Sequence, residues 1–199
     1  MRIAICVSGR GSNMVALLDA LRGEPQGAPV LVLSNRADAP ALGRARERGV
    51  TAEALDNWKS GAEWLERLAR HQVDLIVLAG FLKLVPAEVI AAYRGRILNV
   101  HPALLPAFGG PGMFGHHVHE AVIASGATHS GATVHLVDEH YDEGAILAQA
   151  RVPVLPGDTP DSLARRVLSA EHVLLPAVVL AAARAGHPIA LPEPLALPA

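Results

Sequence analysis

Residues 2–21 read RIAICVSGRGSNMVALLDAL, and this stretch decides the fold class. Arg2–Val7 is apolar and rich in β-branched side chains, which predicts a strand. After a glycine-rich turn, Met14–Leu21 predicts a helix with Ser12 or Asn13 as its N-cap. A strand, a tight turn and a helix in that order make the first half of a βαβ unit, so the N-terminal segment predicts a parallel sheet.

The alternation of short apolar runs and longer amphipathic runs continues along the chain. The run VDLIVLA at Val73–Ala79 is nearly uninterrupted in apolar side chains, which is typical of a central strand covered by helices on both faces. The other predicted elements of this part are strands at Val30–Leu33, Thr51–Leu55 and Arg96–Val100 and helices at Pro40–Gly49, Gly61–Gln72, Pro86–Tyr93 and His116–Ala124.

The pattern changes after residue 126. Ala132–Val137 and Ala145–Val152 predict two strands with only a short acidic turn between them, which favours antiparallel pairing. Pro160–Arg184 predicts a long closing helix. We therefore expect one doubly wound, Rossmann-like α/β domain over residues 1–187, with a mainly parallel sheet and an antiparallel edge, followed by a proline-rich tail over residues 188–199.

The composition is that of a folded and nearly neutral protein. Of its 199 residues, 51% are hydrophobic and 18% charged, with a formal net charge of -2, which excludes a charged disordered chain and argues against nucleic-acid binding. The lone Cys6, and a strand pattern that starts directly after Met1, predict a cytoplasmic protein. The apolar run Val173–Ala183 is interrupted by Pro176 and is shorter than the roughly 20 residues of a spanning helix, so no membrane segment is expected.

Ligands of an open parallel sheet bind beyond the carboxyl ends of its strands. The turn Gly9–Asn13 follows the first strand and leads into a helix, where free backbone N–H groups and the helix dipole favour a phosphate. The alternative is a tight turn that Ser12 caps. The turn lacks a further glycine of the dinucleotide fingerprint, and the second strand ends on Ser34-Asn35-Arg36 without an acidic residue, which disfavours NAD and leaves NADP a weak alternative.

Polar residues also follow the later strands. Asn99 and His101 are two positions apart in a predicted strand, so their side chains point to one side, where they could polarise a carbonyl and stabilise an oxyanion. The alternative is that both bond to the backbone of the next loop. Within the acidic turn Asp138–Gly144, Asp142 is our candidate to reach His101, raise its pKa and fix its orientation, although such turns are most often only solvated.

Two further segments carry weaker signals. Phe81–Val85 follows the central strand and could line a slot for a flat ring, or could pack the next helix. His116, His117 and His119 invite a metal hypothesis, but no CxxC or HExxH pattern accompanies them. We therefore expect no metal site.

Taken together, these segments resemble the folate-dependent formyltransferase superfamily. The resemblance rests on Gly11–Asn13, Ala79–Phe81, the run NVHPALLP at Asn99–Pro106, and Asp142, and it extends from Arg2 to His187. It implies a formyltransferase fold and transfer of the formyl group of 10-formyltetrahydrofolate to the amine of glycinamide ribonucleotide in purine synthesis. The Gly-Ser-Asn turn is the feature that points to this phosphorylated substrate. The resemblance implies no metal, no nucleic acid, and a monomer or homodimer.

The resemblance also implies roles for individual residues. Asn99 would hold the formyl oxygen, His101 would act as its protonated partner, and Asp142 would sustain the charge of His101 and relay the proton of the amine. The residues implied to bind glycinamide ribonucleotide are Gly11, Ser12 and Asn13 at the phosphate and Glu171 at the ribose. Those implied to bind folate are Lys59, at its carboxylate tail, and Phe81, Leu82, Lys83, Leu84, Val85, Asn99, Asp138, Glu139, His140, Tyr141 and Asp142.

Three alternatives stay open at this point. Another folate-dependent formyltransferase, such as one acting on methionyl-tRNA, or a formyltetrahydrofolate hydrolase would carry an additional domain, for which we expect no room in the chain. A catalytically silent folate- or nucleotide-binding module could share the fold, because fold alone does not fix function. The presence of Asn99, His101 and Asp142 together argues against a silent module.

Overall fold

A seven-stranded sheet runs through the centre of the chain in a computed structural model, which describes residues 1–192. The strands are β1 (Arg2–Val7), β2 (Ala28–Ser34), β3 (Thr51–Ala54), β4 (Leu75–Leu78), β5 (Ile97–His101), β6 (His129–Leu136) and β7 (Ile146–Pro153). The helices are α1 (Ser12–Ala20), α2 (Pro40–Arg46), α3 (Gly61–Arg70), α4 (Ala87–Ala92), α5 (His116–Ala124) and α6 (Pro160–Ala185). Each predicted strand and helix is present, with small shifts at its ends.

The strand order is β3-β2-β1-β4-β5-β6-β7. Strands β1 to β5 pair in parallel, whereas β6 runs antiparallel to β5 and β7 antiparallel to β6. The chain winds outward from β1 in both directions, because β2 lies on one side of β1 and β4 on the other. The prediction of a doubly wound, mainly parallel sheet with an antiparallel edge is confirmed.

Two apolar cores, one on each face, hold the sheet between its helices. In β1, Ile3 and Ile5 belong to the core shared with α1 and α6, whereas Ala4 and Cys6 belong to the core shared with α3 and α4. All four side chains are fully buried. This burial on both faces explains why the central strands are apolar at nearly every position.

The start of α1 differs from the prediction. Gly11, and not Ser12 or Asn13, is the N-cap, and no side chain bonds to the first N–H groups of the helix. Gly11 has a left-handed backbone with φ of 73°, and a Cβ there would lie 2.6 Å from Cβ of Ala41 in α2. The predicted side-chain cap is therefore wrong, because this turn is shaped for glycine and leaves the helix terminus open.

Helix α6 continues through Pro176 without ending. Within the described residues it is long and apolar enough to span a membrane by length and composition alone, but 56% of its most apolar window is buried inside the domain. Its buried residues, including Leu163, Leu174 and Val178, lie in the same core as Ile3 and the other β1 residues of that face. The apolar character of α6 is thus accounted for by its packing on the sheet.

Part of the predicted tail contacts the domain. Helix α6 ends at Ala185 with Gly186 in a left-handed conformation, and the backbone N–H of Leu191 donates to the carbonyl of Leu147 in β7 at 2.8 Å. Residues 193–199 of that predicted tail lie outside the described residues. The boundary placed after residue 187 stays a prediction.

The packing of α6 on the sheet generates a stability prediction. Leu174 is fully buried, so Leu174→Ala should lower the free energy of unfolding by about 2–5 kcal/mol through lost apolar contact and a residual cavity. The matched variant Leu155→Ala, at a leucine that is 47% exposed, should change it by about 0.5 kcal/mol or less. Urea denaturation followed by circular dichroism measures both. Equal losses in the two variants would contradict the assignment of α6 to the core.

Candidate active site

The pairing of β5 with β6 places four polar side chains on one face of the sheet. Asn99 lies opposite His135, and His101 lies opposite Thr133. Because alternate residues of a strand share a face, these two cross-strand pairs form one polar patch. The hydroxyl of Thr133 donates to the carbonyl of Ala103 at 2.6 Å and accepts the N–H of the next loop, so it fixes the chain that leaves β5.

The acidic turn reaches this patch by an unexpected route. The sequence predicts that the turn follows a strand end, at the same edge of the sheet as the carboxyl ends of the parallel strands. Because β6 is antiparallel, its carboxyl end lies instead beside Ile97, at the start of β5. There the N–H of Val137 donates to the Ile97 carbonyl at 2.9 Å. The loop then folds back over β5 and β6. Asp142, with a left-handed φ of 57°, brings one carboxylate oxygen to 3.5 Å from Nδ1 of His101 and the other to 3.5 Å from Nε2 of His135.

His135 is a site residue that the sequence analysis missed. Its Nδ1 lies 2.8 Å from the carbonyl of Leu136 and its Nε2 lies 3.1 Å from Nδ2 of Asn99. Nε2 therefore lies between the Asn99 amide and Oδ1 of Asp142, which is 3.5 Å away. The Asn99 amide has two N–H groups, so one is left for a ligand oxygen. Thr133 and His135 are two positions apart in β6, so their side chains share one face, and this spacing could have indicated His135. To place His135 beside Asn99 also requires the β5–β6 register, which the sequence does not supply.

His101 is buried between Asp142 and a backbone carbonyl. Its Nε2 lies 2.8 Å from the carbonyl oxygen of Phe108. Burial lowers the pKa of His101 below its ordinary value, although the charge of Asp142 and the Phe108 carbonyl both act to raise it. The predicted effect of the carboxylate, which is to raise this pKa, is present, but desolvation of the imidazolium outweighs it.

Of His101 and Asp142, Asp142 is the ionised member. Burial acts to raise its pKa, but the hydrogen bond of His135, the charge of His101 and the N–H of Gly110 together hold the pKa below the ordinary value. That N–H lies 3.0 Å from Oδ2. The site therefore holds a carboxylate base beside an imidazole with a reduced proton affinity.

A second polar cluster lies at the open start of α1. The backbone N–H groups of residues 12–14 donate no hydrogen bond within residues 1–192. Next to them, Asn13 Nδ2 donates to Oε2 of Glu171 in α6 at 2.5 Å, and Oδ1 of Asn13 has no partner in that range. The exposed guanidinium of Arg10 lies in the same turn. Free N–H groups, a helix dipole and a nearby cation are the features of a phosphate site.

Comparison with known proteins identifies the family. The sequence model of the formyl transferase family matches residues 1–179. The chain belongs to the formyl transferase family. A phosphoribosylglycinamide formyltransferase of Vigna unguiculata, named as chloroplastic, is 46% identical over 89% of the chain, which spans 59% of that protein. The enzyme of the same name from Escherichia coli is 36% identical over 90% of the chain and 85% of its own length.

A solved structure supports the same family. The glycinamide ribonucleotide transformylase 1 of Symbiobacterium toebii has a TM-score of 0.86 and 41% identity, and the alignment covers 93% of this chain and 88% of that one. The resemblance to the formyltransferase superfamily that the motifs indicate is confirmed. Since the plant relative is named for a different compartment, the cytoplasmic location stays a prediction.

The formyl transferase motif residues after β4 divide into two groups. Phe81 and Val85 are buried in the core with α3, where the ring of Phe81 meets that of Trp64 edge-on at 5.4 Å. Leu82 and Leu84 are more than half exposed. Leu82 and Leu84 thus present their side chains at the surface, whereas those of Phe81 and Val85 pack inside the domain. The folate contacts of this segment stay a prediction.

Ser8 ties this loop to the rest of the site. Its hydroxyl donates to Oδ1 of Asn35 at 2.7 Å and accepts the N–H of Leu82 at 2.8 Å. One buried side chain thus joins the loops that follow β1, β2 and β4. Ser8 carries no signal of this role in the sequence, because its partners Asn35 and Leu82 lie far away along the chain.

The two lysines predicted to contact folate meet at one aromatic ring. The Nζ atoms of Lys59 and Lys83 each lie 5.4 Å from the centre of the Trp58 ring. Neither ammonium has a carboxylate partner within residues 1–192. The loop that carries Trp58 is fixed by Trp64, whose indole N–H donates to the Trp58 carbonyl at 3.0 Å.

The acidic loop directs few of its side chains toward the polar patch of β5 and β6. Glu139 pairs with Arg94 at the surface, and its pKa is lowered by that hydrogen bond. Asp138 accepts the N–H of His140, and the side chains of His140 and Tyr141 are exposed. Asp142 is the member of the predicted set that contacts His101 and His135.

The histidine cluster of α5 does not assemble a metal site. Within the described residues no three histidine, cysteine or acidic side chains are arranged to hold an ion. His116 and His117 lie near surface carboxylates, Glu120 for both and Asp161 for the first. His119 is buried, and burial lowers its pKa.

The contact between Asn13 and Glu171 generates a prediction for pH-dependent stability. Burial raises the pKa of Glu171 to about 7, against the opposing hydrogen bond from Asn13. The folded state therefore binds the proton of Glu171 more tightly than the unfolded state does. This difference contributes about 3 kcal/mol to the free energy of unfolding below the unfolded pKa, and the contribution is lost as pH rises through 7.

Denaturation of wild type and Glu171→Gln from pH 4 to 8 measures this effect. The free energy of unfolding of the wild type should fall relative to that of the variant across this range. The control Glu47→Gln, at an exposed position, should follow the wild type. Parallel curves for wild type and Glu171→Gln would contradict the raised pKa.

Proposed function

We propose that the chain transfers the formyl group of 10-formyltetrahydrofolate to the amine of glycinamide ribonucleotide, the activity for which its relatives are named. The observation that carries the proposal is the meeting of Asn99, His101 and Asp142 on one buried patch. The open start of α1 follows β1, two strands from β5 in the sheet order, which is about 10 Å. A ribose phosphate with a short amide arm bridges that distance.

The phosphoribosyl end of this substrate matches the second cluster. The free N–H groups at Gly11, Ser12 and Asn13 would hold the phosphate, and Arg10 adds a positive charge beside them. Glu171 would accept hydrogen bonds from the ribose hydroxyls, because its carboxylate is buried next to Asn13 and has an oxygen not used by that contact. The glycine amine then extends toward β5.

The residues of the patch would act on the formyl group in turn. The free N–H of Asn99 would donate to the formyl oxygen, which gains negative charge as the amine nitrogen bonds to the formyl carbon, and a protonated His101 would stabilise that charge. This charge, added to that of Asp142, favours the protonated form of His101. While the oxyanion exists, the proton lost by the amine passes through Asp142 to Nδ1 of His101. It returns through Asp142 to N10 as the bond from the formyl carbon to N10 breaks, so the site ends in its starting protonation state.

The folate end matches the exposed loop after β4. Leu82 and Leu84 give an apolar surface beside backbone groups that a pterin edge can bond to, and Ser8 holds that loop in place. The ammonium groups of Lys59 and Lys83 would attract the carboxylates of the folate tail. We further propose a cytoplasmic enzyme that works as a monomer or homodimer without a metal.

The experiment that tests the proposal is formyl transfer from 10-formyltetrahydrofolate or a dideazafolate surrogate, followed by absorbance. Turnover should require glycinamide ribonucleotide, and Asn99→Ala, His101→Ala and Asp142→Ala should each lower kcat by about a hundredfold or more, since each removes a group that acts in the transition state. His187→Ala and Glu143→Ala, at exposed positions, serve as matched controls with unchanged kcat.

The alternatives give different results in the same assay. Release of deformylated folate without glycinamide ribonucleotide would indicate a hydrolase. No release with any amine, together with tight binding of a folate analogue, would indicate a silent binding module. Saturable NADPH binding would instead support an oxidoreductase and contradict the phosphate assignment of the first turn.

The lysine pair generates a separate prediction. Lys59→Ala and Lys83→Ala should each raise KM for a donor with a glutamate tail by about two- to fivefold, because exposed charge pairs contribute up to about 1 kcal/mol. Neither should change kcat, and both effects should shrink at high salt. Arg151→Ala, at an exposed arginine of β7, is the control. An equal rise in KM for a donor without the tail would contradict this assignment.

A further inference from the structure

One short stretch of backbone contacts two of the ionisable members of the patch, His101 and Asp142. The carbonyl of Phe108 bonds to Nε2 of His101 at 2.8 Å, and two residues later the N–H of Gly110 bonds to Oδ2 of Asp142 at 3.0 Å. Neither contact involves a side chain of the stretch. Residues 108–110 thus form a backbone bracket that spans the imidazole and the carboxylate.

We propose that this bracket sets the tautomer of His101 and its alignment with Asp142, and that Gly109 is the positioning residue that allows the bracket to close. This inference rests on the proposed formyl transfer, whose catalytic groups it positions. A carbonyl accepts but never donates, so Phe108 requires the proton of a neutral His101 to sit on Nε2. Nδ1 is then the nitrogen that faces Asp142 and takes up a second proton.

The packing around Gly109 explains the residue type. A Cβ on Gly109 would lie 2.6 Å from Cδ2 of Leu105 and 3.2 Å from Cβ of Asp142. Leu105 is buried, and its backbone is held by Thr133 and by Gln149, so its side chain can yield only by rotating within the packed interior. Any side chain at position 109 therefore pushes the bracket and Asp142 apart.

The backbone conformation of Phe108 also supports a positioning role for the bracket. Phe108 has a left-handed backbone with φ of 58°, which a non-glycine residue adopts only where surrounding contacts hold it. Phe108 packs against the apolar core shared with α1 and α6. That anchor holds the carbonyl on His101, so the strained backbone is maintained for a contact with a catalytic group.

The bracket acts within a fixed set of charges. His101 is faced by Asp142 from the acidic loop, by His135 from β6 and by His119 from α5. The Phe108 carbonyl raises the pKa of His101 against its burial, and the Gly110 N–H lowers the pKa of Asp142. Both contacts thus favour the charged forms of the pair, which burial opposes.

The test compares the wild type with Gly109→Ala, which adds one methyl group to the bracket. Because φ of Gly109 is not in the left-handed region, the alanine is limited by space alone. The variant should lower kcat by about tenfold, with KM for both substrates unchanged within about twofold, because displaced catalytic groups slow the chemical step more than binding. Pro111→Ala, an exposed residue of the same loop, is the matched control and should behave as wild type.

Nitrogen-15 NMR of the His101 ring gives the readout that a merely structural role would not change. Wild type should show the Nε2–H tautomer when neutral, and Gly109→Ala should show a tautomer mixture and a lower His101 pKa. An Nδ1–H tautomer in the wild type overturns the proposal even if the variant fails to fold. The proposal is also overturned if Gly109→Ala keeps the kcat and the His101 titration of the wild type. It is overturned as well if Gly109→Ala raises both KM values and leaves kcat unchanged.

The NMR measurement needs no substrate, so the two proposals fail separately. If wild type lacks formyl transfer but its His101 spectrum and that of Gly109→Ala differ as expected, the proposed function is wrong and the bracket stands. If formyl transfer is present and the spectra are identical, the function stands and the bracket is wrong.

Discussion

The antiparallel pairing of β6 with β5 is the constraint on which the rest of the site depends. It sets Asn99 against His135 and His101 against Thr133, so that one face of two strands carries every polar group of the patch except the carboxylate. A register shift of one residue would turn the β6 histidine to the opposite face of the sheet. The reversal of strand direction also forces the acidic loop to return over the patch, which is how Asp142 arrives there.

Contacts within the patch favour the ionised forms of His101 and Asp142, which their burial disfavours. Burial opposes the ionised forms of His101 and Asp142, and backbone groups from the neighbouring loop oppose that burial. Buried ionisable groups of this kind are expensive for stability and are found where chemistry requires them. The apolar cores on both faces of the sheet provide the stability that allows such a site to exist.

The sequence predicts the fold far better than the site's internal contacts. The strand and helix order follows from periodicity and from turn residues, because those signals are local. The β5–β6 register, the return path of the acidic loop and the contact between Asn13 and Glu171 depend on residues distant in sequence, so His135 and Ser8 escaped notice. The N-cap of α1 was wrong for a related reason: the neighbour that requires glycine at position 11 is Ala41, in a different helix.

The two lysines beside Trp58 are the only ones in the sequence, and the other members of its 17 lysine and arginine residues are all arginines. Chemistry that acylates or alkylates lysine amines is therefore confined to one corner of the surface, apart from the chain terminus. A reporter group attached through lysine would sit beside the loop that follows β4. Protection of these amines by a ligand would then register occupancy of that corner directly, without any engineered label.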